Sequence, residues 1–436
     1  MIEKIKEILS NINGIDGWKI NERRIESKEL FFIKKELDMN RAKDVHHIKV
    51  TVYKDFEEDG KKYRGSSTTA IHPTMSKEDI ESSITSALYA SSFVKNEYYP
   101  LVEPKVEIRP IMENRFSKDS MSNWTPKLTD EIFIADKYDK GWINSTELFL
   151  DKVSTRILNS NGVDASYETY RGELEFITNW QEEKEGEEVE LYKDIVFSDY
   201  DEKLIVESVD EMLKICRDKA IAKPTPVLKN IPVILSGEPV KEFFAYYYVQ
   251  AGARSVYDQT STAKLDKNIQ GDDVRGDKVN IALDPYLDNS TQSAPYDEDG
   301  LRLARVSLYE DGILKRYWGS TRFSHYLDIK PTGNIRNIVV EGGTKTLKEI
   351  KEGAYLELEV FSDFQMDTLT GDFAGEIRLG WYNDGEKTVP VTGGSISGNI
   401  NEVHKEMYLS KEIQKINNFS GPKSIKLLNV SIAGIE

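Results

Sequence analysis

The fold class is decided by an alternating stretch near the start of the chain, His47-Ile48-Lys49-Val50-Thr51-Val52-Tyr53. Successive side chains of a strand point to opposite faces, so Ile48, Val50 and Val52 would share one apolar face. Asp59-Gly60 follows, and this dipeptide is a strong signal for a two-residue hairpin turn. The region therefore predicts antiparallel strands.

Helical patterns lie on both sides of these strands. The opening residues are amphipathic and end at Asn13-Gly14; their apolar face is Ile2, Ile5, Leu9 and Ile12. A second helix is expected to begin at Ser76, where Asp79 is placed for a capping box. Helix, antiparallel strands and helix predict a compact α+β domain over residues 1–100.

A strand-rich middle segment is predicted over residues 101–223. It opens with a helix expected after Pro126, continues with two strand patterns joined through Asn161-Gly162, and closes with a helix that carries Cys216. The strand patterns are residues 146–158 and 163–180. This segment is therefore also expected to be α+β.

The last predicted domain, residues 224–436, is the longest and the richest in strands. Residues 222–226, at the start of this domain, are predicted to form a linker, because a residue that precedes proline is pushed toward extended conformations. Hairpin signals recur at Asp311-Gly312 and Asp384-Gly385, and residues 355–360 alternate. These patterns predict a large C-terminal domain with a curved, mostly antiparallel, barrel-like sheet, which makes the whole chain α+β.

Composition restricts the classes of partner. A net charge of −17 repels nucleic acid, and the nearest basic run, Lys61-Lys62-Tyr63-Arg64, is predicted to be a solvated turn. No stretch approaches the roughly 20 apolar residues of a membrane span, and no export signal is visible. The single cysteine, Cys216, excludes a disulfide framework, and its helical spacing from apolar residues predicts a buried packing role. We expect a cytoplasmic protein without nucleic-acid or membrane partners.

The motifs of common hydrolases are incomplete in this sequence. A zinc peptidase presents histidines together with a glutamate, but none of the five histidines is followed by glutamate. His46 and His47 are adjacent in a predicted strand and would point to opposite faces. Residues 261–264 and 420–423 match Ser-x-x-Lys, but the Lys-Thr-Gly element that accompanies it is missing. The residues alone therefore identify no catalytic and no metal-binding side chain.

A series of segments in the C-terminal part resembles one family in order and spacing. The segments are residues 231–235 and 261–264, Asp299-Gly300-Leu301, residues 309–314 and 332–336, Thr370-Gly371-Asp372-Phe373, residues 383–386, Pro390-Val391, Ser397-Gly398-Asn399 and residues 430–434. Together they resemble the TldD/PmbA family, which is peptidase-related and was once called modulators of DNA gyrase. Weaker similarity covers most of the remaining chain.

The resemblance implies which branch of the family this chain is similar to. TldD-type members have a His-Glu-x-x-x-His motif on the first helix of the C-terminal domain and a late cysteine as zinc ligands. Here the matching positions are Ala245 to Gln250, and residues 419–424 contain no cysteine. Alanine, tyrosine and glutamine do not replace imidazole and thiolate as zinc ligands. The resemblance therefore implies the TldE/PmbA branch, with no catalytic residue, metal ligand or cofactor in this chain and zinc only in a TldD-type partner.

Three functions follow as hypotheses. The first is a non-catalytic TldE/PmbA-like subunit that binds peptide and completes a chamber with a zinc-bearing TldD-type partner in a peptide-cleaving heterodimer. The second is a homodimeric protein that binds a peptide or another ligand without cleavage. The third is an independent hydrolase with an unrecognised site. A partner requirement, a co-purifying ligand and chelator-resistant cleavage distinguish the three.

A peptide-binding surface is predicted where glycine lets backbone approach a ligand closely. The candidate residues form two groups, Thr332, Gly333, Asn334 and Arg336 in the first and Ser397, Gly398 and Asn399 in the second. Arg336 could hold a peptide carboxylate through a bidentate contact. Turns in a curved sheet are the alternative explanation of both groups.

Overall fold

A computed structural model describes residues 1–104 and 113–435. The predicted α+β class is confirmed, because strands and helices alternate irregularly and segregate into sheets with helices packed against them. Residues 105–112 of the predicted middle segment and Glu436 of the predicted C-terminal domain lie outside the described residues. The helices of the described residues are α1 (Ile2–Asn11), α2 (Lys77–Ser91), α3 (Met121–Ile134), α4 (Leu204–Ala220), α5 (Glu238–Gln250), α6 (Ala253–Tyr257), α7 (Thr321–Tyr326), α8 (Leu347–Ile350) and α9 (Ile400–Val403).

The first sheet is an antiparallel, curled half-barrel of seven strands. Its order is β4-β3-β2-β1-β5-β6-β7. The strands are β1 (Gly17–Ile33), β2 (Glu36–Glu58), β3 (Lys61–Ile71), β4 (Asn96–Glu97), β5 (Gly141–Asn159), β6 (Asp164–Gln181) and β7 (Glu188–Phe197). Because β1 pairs with β5 as well as with β2, the sheet continues across the boundary predicted at residue 100. The division into three domains stays a prediction.

The C-terminal part forms two further sheets, one of six strands and one of nine, of which β17 and β22 branch off the main path of the larger sheet. Most neighbouring strands are antiparallel, but three pairs, β13 with β20, β14 with β9 and β16 with β8, are parallel. The strands are β8 (Lys223–Pro224), β9 (Val233–Ser236), β10 (Ile281–Leu283), β11 (Val306–Glu310), β12 (Ile313–Leu314), β13 (Ile338–Val340), β14 (Tyr355–Met366), β15 (Asp372–Asn383), β16 (Thr388–Thr392), β17 (Ser395–Asn399), β18 (Tyr408–Leu409), β19 (Ile413–Ile416), β20 (Phe419–Pro422), β21 (Ser424–Leu427) and β22 (Ser431–Ala433).

Local sequence signals account for several of these boundaries. Ser76 caps α2 and forms the predicted capping box with Asp79, whose side chain accepts the Ser76 N–H in return. Asp59 and Gly60 join β2 to β3 with φ of 51° and 70°, as a hairpin turn with two positive φ angles requires. Cys216 is buried in α4, which confirms its packing role.

Two local predictions are wrong at element boundaries. The helix expected after Pro126 begins at Met121, because the Ser120 side chain accepts from the Asn123 N–H, and proline stays inside the helix. The predicted linker contains β8, which pairs in parallel with β16 at the end of its sheet. Proline has no backbone N–H to donate, and this is tolerated on an edge strand, where one side of the strand has no neighbour.

The prediction that residues 61–64 form a solvated turn is also wrong for Arg64. Its side chain is buried, and Nε and Nη2 donate to the two oxygens of Asp55 at 2.7 and 2.8 Å. Its Nη1 donates to the backbone oxygen of Tyr99 at 2.8 Å. A bidentate guanidinium–carboxylate pair has a fixed geometry, so Arg64 holds the segment that follows β4 against the first sheet.

Direct side-chain contacts join the first sheet to the C-terminal part. Arg322 donates to the Asn96 side chain at 2.8 Å, and the Tyr326 hydroxyl donates to the Glu97 backbone oxygen at 2.6 Å. Lys19 on β1 pairs with Asp299 at 2.5 Å. These contacts enclose a space between the two parts. Among the helices of residues 1–104 and 113–435, none combines the length and apolar character needed to cross a membrane.

Candidate functional site

A cavity of about 540 Å³ lies where the first sheet meets the C-terminal part. This volume is within the range of ligand pockets, roughly 300–1,000 Å³. The first sheet supplies Lys19 from β1 and Tyr53 from β2, and the segment after β4 supplies residues 99–102. The opposite wall is built from the end of α5, from α6 and from residues 318–323. Segments far apart in sequence therefore form one concave site.

Aromatic rings form much of the cavity wall. Tyr248 at the end of α5 stacks on Trp318 with ring centroids 4.2 Å apart. The Trp318 indole N–H donates to the Tyr248 backbone oxygen at 2.8 Å, which fixes the indole plane. Tyr53 and Tyr99 meet edge to face at 6.4 Å. These rings offer a broad apolar surface to a ligand.

The two acidic side chains of the cavity already have partners. Asp299 accepts from Lys19, and Glu298 accepts from the Asn334 amide at 2.8 Å. Asp297, next to them in sequence, is buried beneath the wall, and its carboxylate accepts the backbone N–H groups of Asp299 and Leu301. Burial and the neighbouring charge of Asp299 raise the pKa of Asp297 to about 7. The carboxylates thus hold the wall together.

Two tyrosine hydroxyls in the cavity have no such partners. Tyr53 is 4% exposed, and its hydroxyl makes no hydrogen bond to any residue that the structure describes. The same holds for the hydroxyl of Tyr99. Burial is the largest cause that raises the pKa of both phenols, so both are protonated and able to donate at neutral pH.

The structure places the first predicted group of peptide-binding residues at the edge of this cavity. Asn334 lines it, and Thr332 accepts the backbone N–H of Gly319, another lining residue, at 3.0 Å. Gly333 has φ of +77°, and a Cβ there would lie 2.3 Å from the Leu303 side chain. Arg336 is exposed and donates to the Gln292 side chain at 3.3 Å. Thr332 and Gly333 therefore shape the backbone, while Arg336 is outside the cavity lining.

The second predicted group is in a different place. Ser397 and Gly398 lie in β17 between β15 and β22, and Asn399 ends that strand and caps α9. A Cβ at Gly398 would lie 2.5 Å from the Phe373 ring, so glycine is needed for strand packing. Asn399 donates to Asp372 at 2.7 Å. None of the three lines the cavity, and the structure does not unite the two groups around it.

Sequence reasoning missed the main cavity residues. Lys19 and Asp299 are 280 positions apart, and Tyr53 and Arg322 stand in no motif. No local sequence pattern predicts this cavity, because the cavity forms only when the first sheet packs on the C-terminal part.

Comparison with known proteins concerns chiefly the C-terminal half. The model of the PmbA/TldA metallopeptidase C-terminal domain matches residues 228–434. The Escherichia coli O157:H7 metalloprotease PmbA is 27% identical over 209 residues, which are 47% of this chain and 46% of that protein. Residues 228–434 therefore form a C-terminal domain of the PmbA/TldD type. A Saccharolobus solfataricus zinc metalloprotease TldD homolog is 27% identical over 241 residues, 48% of this chain and 53% of that protein.

The PmbA/TldD family fold extends beyond the matched domain. The chain spans about half the length of the curated relatives it matches. The crystal structure of TldE from Thermococcus kodakarensis superimposes with a TM-score of 0.79 at 17% identity, over 99% of this chain and 100% of that one. The likeness at this identity concerns the fold, and it includes the first sheet as well as the C-terminal part.

The side chains at the positions of the family's zinc motif do not fit zinc. Gln250 is fully buried, its Oε1 accepts the Thr262 N–H at 2.8 Å, and its Nε2 donates to the Thr368 backbone oxygen at 2.8 Å. Ala245 has no donor atom, and the Tyr246 phenol, with a pKa raised by burial, has no thiolate or imidazole character. Among the described residues no cluster of three or more His, Cys, Asp and Glu side chains could hold a metal ion. Gln250 therefore fixes two loops next to α5.

Proposed function

We propose that this chain is a TldE/PmbA-type, non-catalytic subunit of a peptide-processing complex whose zinc belongs to a TldD-type partner. One observation carries the proposal. Gln250, at the place of a zinc ligand, has both amide atoms engaged with backbone groups of two loops. On this helix, the position of a zinc ligand is occupied by a side chain that binds neighbouring loops. This supports a structural, non-catalytic role for the subunit.

Similarity to this family supports the choice of partner. The curated relatives include proteins named for both PmbA and TldD, and the TldE structure shares the fold over nearly the whole chain. We infer a heterodimer in which this chain completes a chamber and contributes to peptide binding. The exposed guanidinium of Arg336, held by one hydrogen bond at 3.3 Å, is free enough to take a peptide carboxylate. We place this complex in the cytoplasm, as the sequence predicts.

Co-expression with the TldD-type protein of the same genome tests the proposal. We expect a one-to-one complex on size-exclusion chromatography, and peptide cleavage that needs both subunits and stops with a chelator. The matched control is metal analysis of this chain purified alone, which should find no bound zinc because Ala245 and Gln250 offer no zinc ligand. Absence of a complex, together with no gain in cleavage on mixing, would contradict the proposal.

The same experiment separates the two other functions. A homodimer with a co-purifying peptide and no cleavage would favour a binding protein. Cleavage by this chain alone that persists with a chelator would favour an independent hydrolase.

A further inference from the structure

The cavity between the first sheet and the C-terminal part has an excess of positive charge. Lysine and arginine supply three of its charged side chains, and glutamate and aspartate supply two; they are Lys19, Arg254, Arg322, Glu298 and Asp299. The whole chain has a net charge of −17. A locally positive concave wall on an acidic protein favours an anionic ligand.

The guanidinium of Arg322 is placed to bind an anion. Its Nε and Nη2 are placed by the Tyr326 hydroxyl and the Asn96 side chain, both neutral groups, and it has no carboxylate partner in the part of the chain that the structure describes. By contrast, Lys19 is paired with Asp299 at 2.5 Å. Arg254 faces Asp258 at 3.4 Å and is largely exposed. A positioned guanidinium without a carboxylate can bind one from a ligand.

Hydrogen-bond donors lie beside this guanidinium. Tyr99 contacts Arg322, whose charge centre is 5.6 Å from the ring, and Tyr53 contacts Tyr99. The pKa of Tyr99 responds to the charge of Arg322 as well as to burial. Both tyrosine hydroxyls lack partners among residues 1–104 and 113–435, and Tyr53 is almost completely buried. These hydroxyls line the cavity, so a ligand acceptor can take the hydrogen bond that each is able to donate.

We propose that this cavity binds a small organic carboxylate with an aromatic or apolar body. Arg322 and the hydroxyls of Tyr53 and Tyr99 would hold the carboxylate, and the stacked pair of Tyr248 and Trp318 would pack against the body. The site is complete within this chain. It requires no zinc-bearing partner, so it stands apart from the proposed subunit function.

Calorimetric titration of the purified chain alone tests this site. The two probes are N-acetyl-phenylalanine and its amide, which share an uncharged aromatic body and differ only in that the first has a carboxylate. The acid should bind at least about tenfold more tightly, because only the carboxylate can pair with the guanidinium. Equal binding of acid and amide, or no saturable binding of the acid up to its solubility, would overturn the proposal. Preferential binding of phenethylamine, a cation, would overturn it as well.

Three variants locate the site. Arg322→Gln should lose the preference for the acid, whereas Arg275→Gln, an exposed arginine paired with Glu406, should keep it. Tyr53→Phe should weaken binding of the acid about fivefold to tenfold and leave the unfolding midpoint unchanged, because its hydroxyl has no partner in the described chain. Should Arg322→Gln unfold, Tyr53→Phe decides: unchanged affinity in that variant would overturn the proposal.

A second comparison identifies the source of the carboxylate. Phenylpropionate is a free acid, and a tetrapeptide that ends in phenylalanine offers a peptide C-terminus with the same ring. Tighter binding of the tetrapeptide would assign the site to peptide ends, and tighter binding of phenylpropionate would assign it to free acids. Either result supports a carboxylate site.

Discussion

The fully buried side chain of Gln250 and the backbone of Thr262, an exposed residue, are joined by a hydrogen bond of 2.8 Å. The same Gln250 oxygen accepts from the Ser261 hydroxyl at 3.1 Å, and the amide nitrogen reaches the Thr368 carbonyl. One side chain thus ties α5 to two loops that are remote in sequence. Gln250 is therefore a structural link between α5 and these loops.

Replacing Gln250 by alanine should lower the free energy of unfolding by about 2–4 kcal/mol. The substitution removes the hydrogen bonds of a fully buried side chain and leaves a cavity in its place, which costs more than the loss of an exposed hydrogen bond. Urea unfolding followed by circular dichroism measures the change. Gln292→Ala is the matched control, because that side chain is only half-buried and bonds to exposed Arg336. Similar losses in the two variants would contradict the structural role of Gln250.

The stability of the protein should depend on the ionisation of Asp297. Its pKa is raised to about 7 by burial and by Asp299, whereas the same carboxyl in the unfolded chain titrates near about 4. Between these values the folded state binds more protons than the unfolded state. The free energy of unfolding should therefore fall as the pH rises through this window.

Comparison with Asp297→Asn isolates this effect. Asparagine can still accept the backbone N–H groups of Asp299 and Leu301 through its Oδ1 atom. Between about pH 5 and about pH 8 the wild type should lose about 2 kcal/mol relative to the variant. Glu359, whose pKa is also raised to about 7 by burial, contributes the same pH dependence of stability to both proteins. Parallel pH profiles of the two proteins would show that Asp297 is ionised throughout.

The thiol of Cys216 should be unreactive in the folded protein. Burial raises its pKa to about 11, and the thiol donates to the backbone oxygens of Thr178 and Val189. Since the thiolate is the nucleophile, both causes suppress reaction with Ellman's reagent. We expect reaction more than about a hundredfold slower in buffer than in denaturant, where one thiol per chain should titrate. Rapid reaction of the native protein would contradict the buried position.

Features with a local physical cause were predictable from the sequence, and features made by distant contacts were not. The capping box of Ser76 and the turn at Asp59-Gly60 depend on residues within a few positions, so their signals are present in the sequence itself. The cavity depends on pairs such as Lys19 with Asp299, 280 positions apart. Glycine at 333 was predicted for close approach of a ligand, but its neighbour in the structure is the Leu303 side chain.

Gly333 and Arg336 should therefore behave differently on substitution, although they were predicted as one site. Gly333→Ala places a side chain at φ of +77° with its Cβ 2.3 Å from Leu303, so strain and overlap should cost about 2–4 kcal/mol of stability. Arg336→Ala removes an exposed side chain with one hydrogen bond, and stability should change by less than about 0.5 kcal/mol. Thermal and urea unfolding measure both values.

Under the proposed function, Arg336→Ala should still weaken peptide binding by the complex about tenfold, because a guanidinium–carboxylate contact is lost. Unchanged peptide affinity in a folded variant would show that Arg336 is not part of the peptide site.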